Sequence, residues 1–233
     1  MQIDIITLFP GMFAGFLTES IIKRAQEKGV VNIGVIDLRD YTHDRHRTAD
    51  DRPYGGGAGM VLKVEPLFEA VEALKTPEST VILLSPRGET FGQAKAGYLS
   101  RRDHLILICG HYEGVDERVC SALVDEEISI GDYILTGGEL PAMVVADSVI
   151  RLIPGVLGDP DSSVEESFAK GRLEYPHYTR PSEYRGMAVP GVLLSGDHGE
   201  VARWREEQSF ITTSRRRPDL IKKFPPTEKE KKE

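Results

Sequence analysis

Two carboxylates and an arginine are the first residues in this sequence whose types suit catalysis. Glu165 and Glu166 stand together, fifteen residues after Arg151 in the case of Glu166. A carboxylate that converges with a guanidinium can act as general base while the cation meets the charge that develops. A solvated acidic pair has the same spacing. A second stretch, Ile130-Gly-Asp-Tyr-Ile-Leu-Thr-Gly-Gly-Glu-Leu-Pro141, suits binding. Gly131, Gly137 and Gly138 let the backbone approach a ligand closely, and Tyr133, Ile134 and Leu135 between them can form an apolar slot. Free backbone groups in such a loop can read the edge of a planar ring. An ordinary tight connection between strand and helix has the same composition. A third stretch, residues 41–60, is polar and glycine-rich. His43, Asp44 and His46 could ligate a metal there, but two histidines three apart beside arginines are more often surface or hydrogen-bonding residues. Gly55-Gly-Gly-Ala-Gly59 lacks the Gly-Lys-Ser/Thr ending of a P-loop and the spacing of a dinucleotide fingerprint. Asp50, Asp51 and Arg52 beside it can hydrogen-bond a nucleobase and its phosphate.

These residues need elements to hold them. Residues 2–8 alternate and are β-branched, which predicts a first strand. Helical spacing of Met12, Phe13, Phe16 and Leu17 and a helix over 20–28, stopped by Gly29, come next. Strands are expected over 30–38, 80–85, 104–109 and 125–129, and helices over 65–74, 91–100, 117–124 and 142–153. Pro141 suits the first turn of that last helix, where no amide donor is needed. Strands alternating with helices predict an α/β fold with a mainly parallel sheet. Ligands in such sheets bind outside the carboxyl ends of the strands. Three loops fall there: Ser85-Pro-Arg-Gly88, Gly110-His-Tyr-Glu-Gly114 and the stretch around Gly137. They are expected to converge on one pocket. Residues 155–186 show little periodicity and are expected to be a linker or mobile loop. A helix over 197–210 carries Trp204, a basic turn and final helix follow over 215–223, and a charged, disordered tail follows Pro225.

Composition bounds the rest. The 233 residues are enough for one large domain with a smaller appendage, and 40% apolar content can build its core. Cys109 and Cys120 form no metal or redox pattern, so buried thiols in a reducing cytosol are expected. The N-terminus lacks a basic region and meets Pro10-Gly11 early, against a signal peptide. No apolar run reaches the ~18 residues of a membrane span. Net charge is −8, but unevenly spread. Residues 1–169 hold 15 basic against 27 acidic side chains, a charge of −12, while 170–223 hold 11 against 7, or +4. A basic segment on an acidic body suggests a nucleic-acid-facing part, although a solvated charged helix would look alike.

Several motifs together resemble one family. They are Asp50-Asp-Arg-Pro-Tyr-Gly-Gly-Gly-Ala-Gly-Met60, Leu84-Ser-Pro86, Cys109-Gly-His-Tyr-Glu-Gly-Val-Asp-Glu-Arg118, the Ile130 to Pro141 stretch, Arg151-Leu-Ile-Pro-Gly-Val-Leu-Gly158, Pro176-His-Tyr-Thr-Arg-Pro181, Val192-Leu-Leu-Ser-Gly196 and Trp204-Arg205. In this order they are similar to the TrmD family of bacterial tRNA (guanine-N1-)-methyltransferases, over about residues 1–220. The resemblance implies S-adenosylmethionine as methyl donor. It implies transfer to N1 of the guanine just 3′ of the anticodon, tRNA position 37, when guanine also precedes it. It implies an α/β fold of the SPOUT class with a deep trefoil knot, a rare exception to normal topology, plus a small C-terminal helical domain. Residues 1–154 would be the knotted cofactor-binding domain, 155–170 a mobile interdomain loop, 171–225 the tRNA-binding helical domain and 226–233 a disordered tail. A cytoplasmic homodimer with shared active sites is implied, with no membrane partner, and a magnesium ion that no motif here displays.

Carried over by position, the resemblance gives the cofactor Leu84, Ser85, Pro86, Gly110, Tyr112, Glu113, Ile130, Gly131, Asp132, Tyr133, Ile134, Leu135, Gly137, Gly138 and Pro141. Asp50 and Arg52 would contact the target region of the tRNA. Arg151 would stabilise the guanine O6. The general base is an aspartate directly before Ser-Phe in the family, and Glu166 stands in that place here. Glutamate keeps the carboxylate and adds one methylene of reach, and Glu165 is its neighbour. Competing readings are a knotted methyltransferase with another RNA target, a non-catalytic RNA-binding protein, and a nucleotide-binding α/β enzyme that uses the triple glycine. The Asp50 to Met60 block argues against the first, because smaller knotted relatives lack it. Arg151 and the acidic pair argue against the second.

Overall fold

β-Branched runs make the strands of the first half of the chain, and runs with apolar residues three and four apart make its helices. The computed structural model describes residues 1–158 and 166–224. The chain divides into two compact units, Met1–Gly158 and Asp159–Glu233. In the first unit β1 (Gln2–Thr7) leads through a 3-10 turn (Pro10–Phe13) to α1 (Ala14–Thr18) and α2 (Ser20–Glu27). Then come β2 (Asn32–Asp37), the short β3 (Asp50–Asp51) and β4 (Val61–Leu62), and α3 (Val64–Leu74). β5 (Ser79–Thr90), α4 (Gln93–Leu99), β6 (His104–Cys109), α5 (Glu117–Leu123), β7 (Glu126–Ser129) and α6 (Glu139–Ile150) complete the unit.

The main sheet has the order β2-β1-β6-β5-β7, and every pairing in it is parallel. Successive side chains feed two cores. Ile3, Ile5, Leu105, Leu107, Ile82 and Leu84 pack with Ala142, Val145, Ala146 and Val149 of α6. On the other face Ile6, Ile106, Ile108, Val81 and Leu83 pack with Leu67, Ala70 and Val71 of α3. Each fully buried Leu or Ile contributes about 1.5–3 kcal/mol, so these two layers hold the carboxyl ends of the strands rigid. At the opposite edge the buried His104 joins Asp4 at 2.8 Å and Ser79 at 2.7 Å, which links β1, β6 and β5 through satisfied polar groups.

Several elements depart from expectation. The strand expected over 80–85 runs on to Thr90, with a register shift against β7 between Leu84 and Glu89. Residues 85–88 are therefore a bulge within β5 rather than a loop after it. Gly88 permits this, because a Cβ there would collide with the backbone of Glu127 and Ile128. The helix expected over 142–153 is Glu139–Ile150, which places Pro141 third in its first turn. β3 lies inside the polar stretch 41–60 and β4 just after it, and neither was expected as a strand. Cys109 is buried as expected, whereas Cys120 is only partly buried.

The second unit is built on α7 (His198–Arg216), which outruns the helix expected over 197–210. Asp197 caps it by accepting from the amides of Gly199 and Glu200. The β-branched Thr213 remains helical because its hydroxyl donates to Ser209 O and accepts from Leu173 N. Arg217 breaks the helix at an extended φ of −139°, as a residue before proline must, and α8 (Pro218–Lys223) follows. A hairpin of β8 (Glu183–Tyr184) and β9 (Met187–Ala188) lies in the region expected to be linker. Its turn residues Arg185 and Gly186 both have positive φ, 52° and 76°, which suits a two-residue hairpin. The expectations for Glu165, residues 159–164 and residues 225–233 lie outside the described residues. No helix among the described residues is long and apolar enough to cross a membrane.

Candidate active site

The glycine pair in the Ile130 to Pro141 stretch is required by a crossing of two chain segments. Gly138 donates its amide to Gly110 O at 2.7 Å, and Gly137 forms a bridge with His111. A Cβ on Gly138 would lie 2.6 Å from Cys109 Cα and 2.7 Å from Gly110 N. The stretch therefore lies directly on the carboxyl end of β6. A cavity of about 390 Å³ opens beside this crossing. Leu84, Ser85 and Pro86 of the β5 bulge line it, as do Gly110, Tyr112 and Glu113 after β6. Ile130, Gly131, Tyr133, Ile134, Leu135, Gly137, Gly138 and Pro141 form the rest of the predicted wall. The three loops converge as the spacing predicts. Asp132 is exposed and is not part of the wall.

The wall combines backbone with open apolar side chains. Tyr133 packs on Gly131, whose φ is 151°, and its hydroxyl donates to Ile130 O at 3.3 Å. Ile134 is 79% exposed, so its apolar surface lacks cover among the described residues. Tyr112 takes a positive φ of 56°, costly for a bulky residue, and stands at the rim. Arg87 also lines the cavity and bonds Glu117 at 3.1 Å and Glu127 at 3.3 Å, so its charge is held and partly balanced. These features accept a flat, largely apolar ring whose edge meets backbone groups.

Asp50 and Arg52 belong to a hairpin joined to this wall. β3 pairs antiparallel with β4, and Gly55, Gly56, Gly57 and Gly59 between them have φ of 85°, 78°, 122° and 83°. Only glycine adopts such angles freely, so this run is the turn of the hairpin. β4 then bonds the loop after β6: Glu113 N to Met60 O at 3.0 Å, Leu62 N to Gly114 O at 3.0 Å, and Asp116 N to Leu62 O at 3.1 Å. The Glu113 side chain packs on Gly59. Tyr54, at the turn, is fully exposed. His43 bonds Glu69, and Asp44 caps a local turn by accepting from His46 N, Thr48 N and the Thr48 hydroxyl, which lowers its pKa.

Arg151 stands apart from the wall within the first unit. Arg151 caps the carboxyl end of α6, about 15 Å along the helix from Pro141 at a rise of 1.5 Å per residue. Glu166 lies in the second unit, where its carbonyl accepts from Ala169 N.

Sequence reasoning missed His111 and Glu139. His111 lines the cavity, and Glu139, only 2% exposed, accepts from the Thr7 hydroxyl at 2.7 Å. An acidic residue in a first helical turn ordinarily reads as a solvated helix-dipole partner. Nothing in the spacing separates the 132 residues between Thr7 and Glu139 from any other pair.

Comparison with known proteins agrees with this geometry. A family profile described as tRNA (Guanine-1)-methyltransferase TrmD matches residues 1–223. A tRNA (guanine-N(1)-)-methyltransferase of Geobacillus kaustophilus is 59% identical over 233 residues, covering 99% of this chain and 96% of the relative. Relatives of the same name from Carboxydothermus hydrogenoformans and Bacillus subtilis are 60% and 54% identical. They are covered over 91% and 97% of their lengths, by 99% and 100% of this chain. With a family match over nearly its whole length and relatives of this similarity, the chain belongs to the TrmD family of tRNA (guanine-1)-methyltransferases.

Proposed function

We propose that this enzyme transfers a methyl group from S-adenosylmethionine to N1 of the guanine just 3′ of the anticodon, tRNA position 37. The carrying observation is the cavity made where Gly137 and Gly138 cross Cys109 and Gly110. Its residues fit the cofactor. The crossing leaves a backbone-lined slot that a Cβ would fill, Leu84, Ile130 and Leu135 suit an adenine, and the Glu113 carboxylate suits a cationic ligand. S-adenosylmethionine supplies an electrophilic methyl group on a sulfonium, released as a neutral thioether.

The chain's own residues supply the rest. Neutral guanine carries a proton on N1 and is a poor nucleophile there. Glu166 accepts that proton as the new N1–carbon bond forms and the carbon–sulfur bond breaks. Arg151 meets the charge that moves onto O6. The target base leaves the anticodon-loop stack to reach the cavity. Asp50 and Arg52, on the hairpin bonded to the cavity loop, hold the target region. The basic part, 171–225, binds tRNA phosphates with strong salt dependence. Arg215, Arg216, Lys222 and Lys223 in the last turns of α7 and α8 are its leading candidates.

The position of Arg151 favours a homodimer with shared sites. A cavity at one end of α6 and an arginine at the other meet when two copies pack together. Leu140 and Val144 on α6 and Met12 on the neighbouring 3-10 turn are exposed apolar residues suited to that contact. The placement of β6 between β1 and β5, with the Gly137 stretch lying across it, is compatible with the trefoil knot of the SPOUT class. Residues 155–170 join the cofactor-binding part, 1–154, to the tRNA-binding part and carry Glu166. A reaction on tRNA is consistent with a cytoplasmic location.

The test is methyl transfer from labelled S-adenosylmethionine to unmodified tRNA transcripts. One carries guanine at positions 36 and 37, the other adenine at 36. 1-Methylguanosine in the first alone, lost in Glu166→Ala, is the expected result. Cofactor binding without methylation of either transcript would point to another RNA target. Activity surviving in Glu166→Ala would move the base to Glu165 or elsewhere. Addition of a chelator reads the magnesium requirement that the resemblance implies.

A further inference from the structure

Behind the cavity wall sits a buried carboxylate that binding of the cofactor's edges does not explain. Glu139 is 2% exposed and opens α6 at its first residue. Thr7 Oγ1 accepts a hydrogen bond from Phe9 N at 2.9 Å, which directs the hydroxyl proton to Glu139 Oε1 at 2.7 Å. Glu139 is thus an acceptor through Oε1. Its other oxygen, Oε2, faces His111 Nδ1 at 4.0 Å, too far for a hydrogen bond. That Nδ1 is itself buried with no hydrogen-bond partner among the described residues. Gly137, a residue of the wall, packs on both: a Cβ there would collide with Glu139 Oε2 and His111 Nδ1. The carboxylate therefore stands one backbone thickness behind a wall residue. Its field reaches the neighbouring Cys109, whose thiol is pushed well up by burial and then by Glu139.

The electrostatics of the wall need such a charge. α6 is twelve residues long, and its N-terminus, at Gly138 and Pro141, meets the cavity. A helix N-terminus carries about half a positive charge, which disfavours a cationic ligand. The acidic group on the cavity side, Glu113, is exposed, so water and salt screen it. Glu139 is screened far less.

We propose that Glu139 is a positioning residue that selects the charged methyl donor over its neutral product by placing an unscreened negative charge behind Gly137. This inference rests on the reading of the cavity as an S-adenosylmethionine site. At an effective dielectric of about 20, removing one charge at a separation of about 10 Å alters affinity on the order of tenfold.

The test is calorimetric binding of S-adenosylmethionine and of S-adenosylhomocysteine, the neutral thioether, to the full chain and to Glu139→Gln. The ratio of the two affinities is the readout, because a merely structural change weakens both ligands alike. The expected result is an approximately tenfold fall in relative affinity for the sulfonium, with a smaller fall in Glu113→Gln. If Glu139→Gln does not fold, Glu139→Met, which removes the charge at similar length and leaves no polar group to bury, is read the same way. An unchanged ratio in the folded variant, with both ligands bound by the wild type, overturns the inference and leaves the cavity reading intact. A wild type that binds neither ligand removes both.

Discussion

Gly138→Ala tests the geometry of the cavity most directly. The added methyl carbon would lie 2.6 Å from Cys109 Cα, 2.7 Å from Gly110 N and 3.0 Å from Cys109 C. All three are backbone atoms of a central strand end, so no flexible side chain can give way. Relief requires the Gly138 segment to lift by about 1 Å, taking normal carbon contact as about 3.5–4.0 Å with some relaxation of β6. That movement breaks the 2.7 Å bond from Gly138 N to Gly110 O. Overpacking costs about 1–3 kcal/mol and the lost buried bond about 1 kcal/mol, so the variant should lose about 2–4 kcal/mol of stability. Urea melts of the full chain read this loss, and calorimetry with S-adenosylmethionine reads the wall. A displacement of about 1 Å at a positioned site can cost on the order of 100-fold in rate, which the methyl-transfer assay reads. Gly97→Ala is the control: it lies in α4, meets nothing within 4 Å, and should gain up to about 1 kcal/mol from helix propensity. If Gly138→Ala stays within about 0.5 kcal/mol of the wild type, a change typical of an inconsequential surface site, and keeps its affinity, the crossing does not build the cavity.

Other predictions follow from neighbouring features. Arg151→Ala should lower kcat about 100- to 1,000-fold, the loss seen when a donor to developing charge is removed, and single-turnover assays read it. Mixing Arg151→Ala with Gly138→Ala should restore about a quarter of wild-type activity, because half of randomly paired dimers would hold one intact shared site; no recovery after subunit exchange would refute the shared site. Asp116 accepts two hydrogen bonds from the Arg118 side chain, at 2.8 Å each, and one from its amide, which together lower its pKa to about 2. A depressed folded-state pKa stabilises above the unfolded value of 3.8 and loses that gain as pH falls towards about 2. With Arg118 largely exposed, Asp116→Asn should cost no more than about 1 kcal/mol at pH 7, and thermal melts of the two proteins should converge near pH 2. Burial raises both thiols, Cys109 far more, so iodoacetamide should modify Cys120 first and Cys109 only on unfolding, as peptide mapping would show.

What sequence reasoning captured was local. β1 alternates with three isoleucines, β6 is apolar after His104, and β6 was placed residue for residue. Glycines at strand ends marked the three loops of the cavity, since only backbone angles and close approach explain them. Longer-range facts were invisible. β3 and β4 are two residues each, too short for any alternation, and they exist because their partners are the Asp50 hairpin and the loop after β6. β5 runs past Pro86 because β7 and Gly88 offer it a second register. Asp132 shares a motif with wall residues yet is exposed and does not line the cavity. Glu139 went unnoticed because the side chains beside it, Thr7 of β1 and His111 of the loop after β6, are distant in sequence. The separation of Arg151 from Pro141 follows from helix length, and the glycines before Pro141 mark the end of α6 that the cavity occupies.

The seat of β6 in the middle of the sheet has a consequence for how the molecule is made. Its two neighbours, β1 and β5, are synthesised before it, and Ile3 waits for Leu105. Until that stretch leaves the ribosome, two strand edges stay unpaired and both apolar layers lack their centre. Contacts so distant in sequence form slowly, and exposed edges invite pairing with other chains. Nascent chains stalled before residue 104 should therefore be the aggregation-prone species, and the full chain should resist proteolysis only once β6 has been inserted.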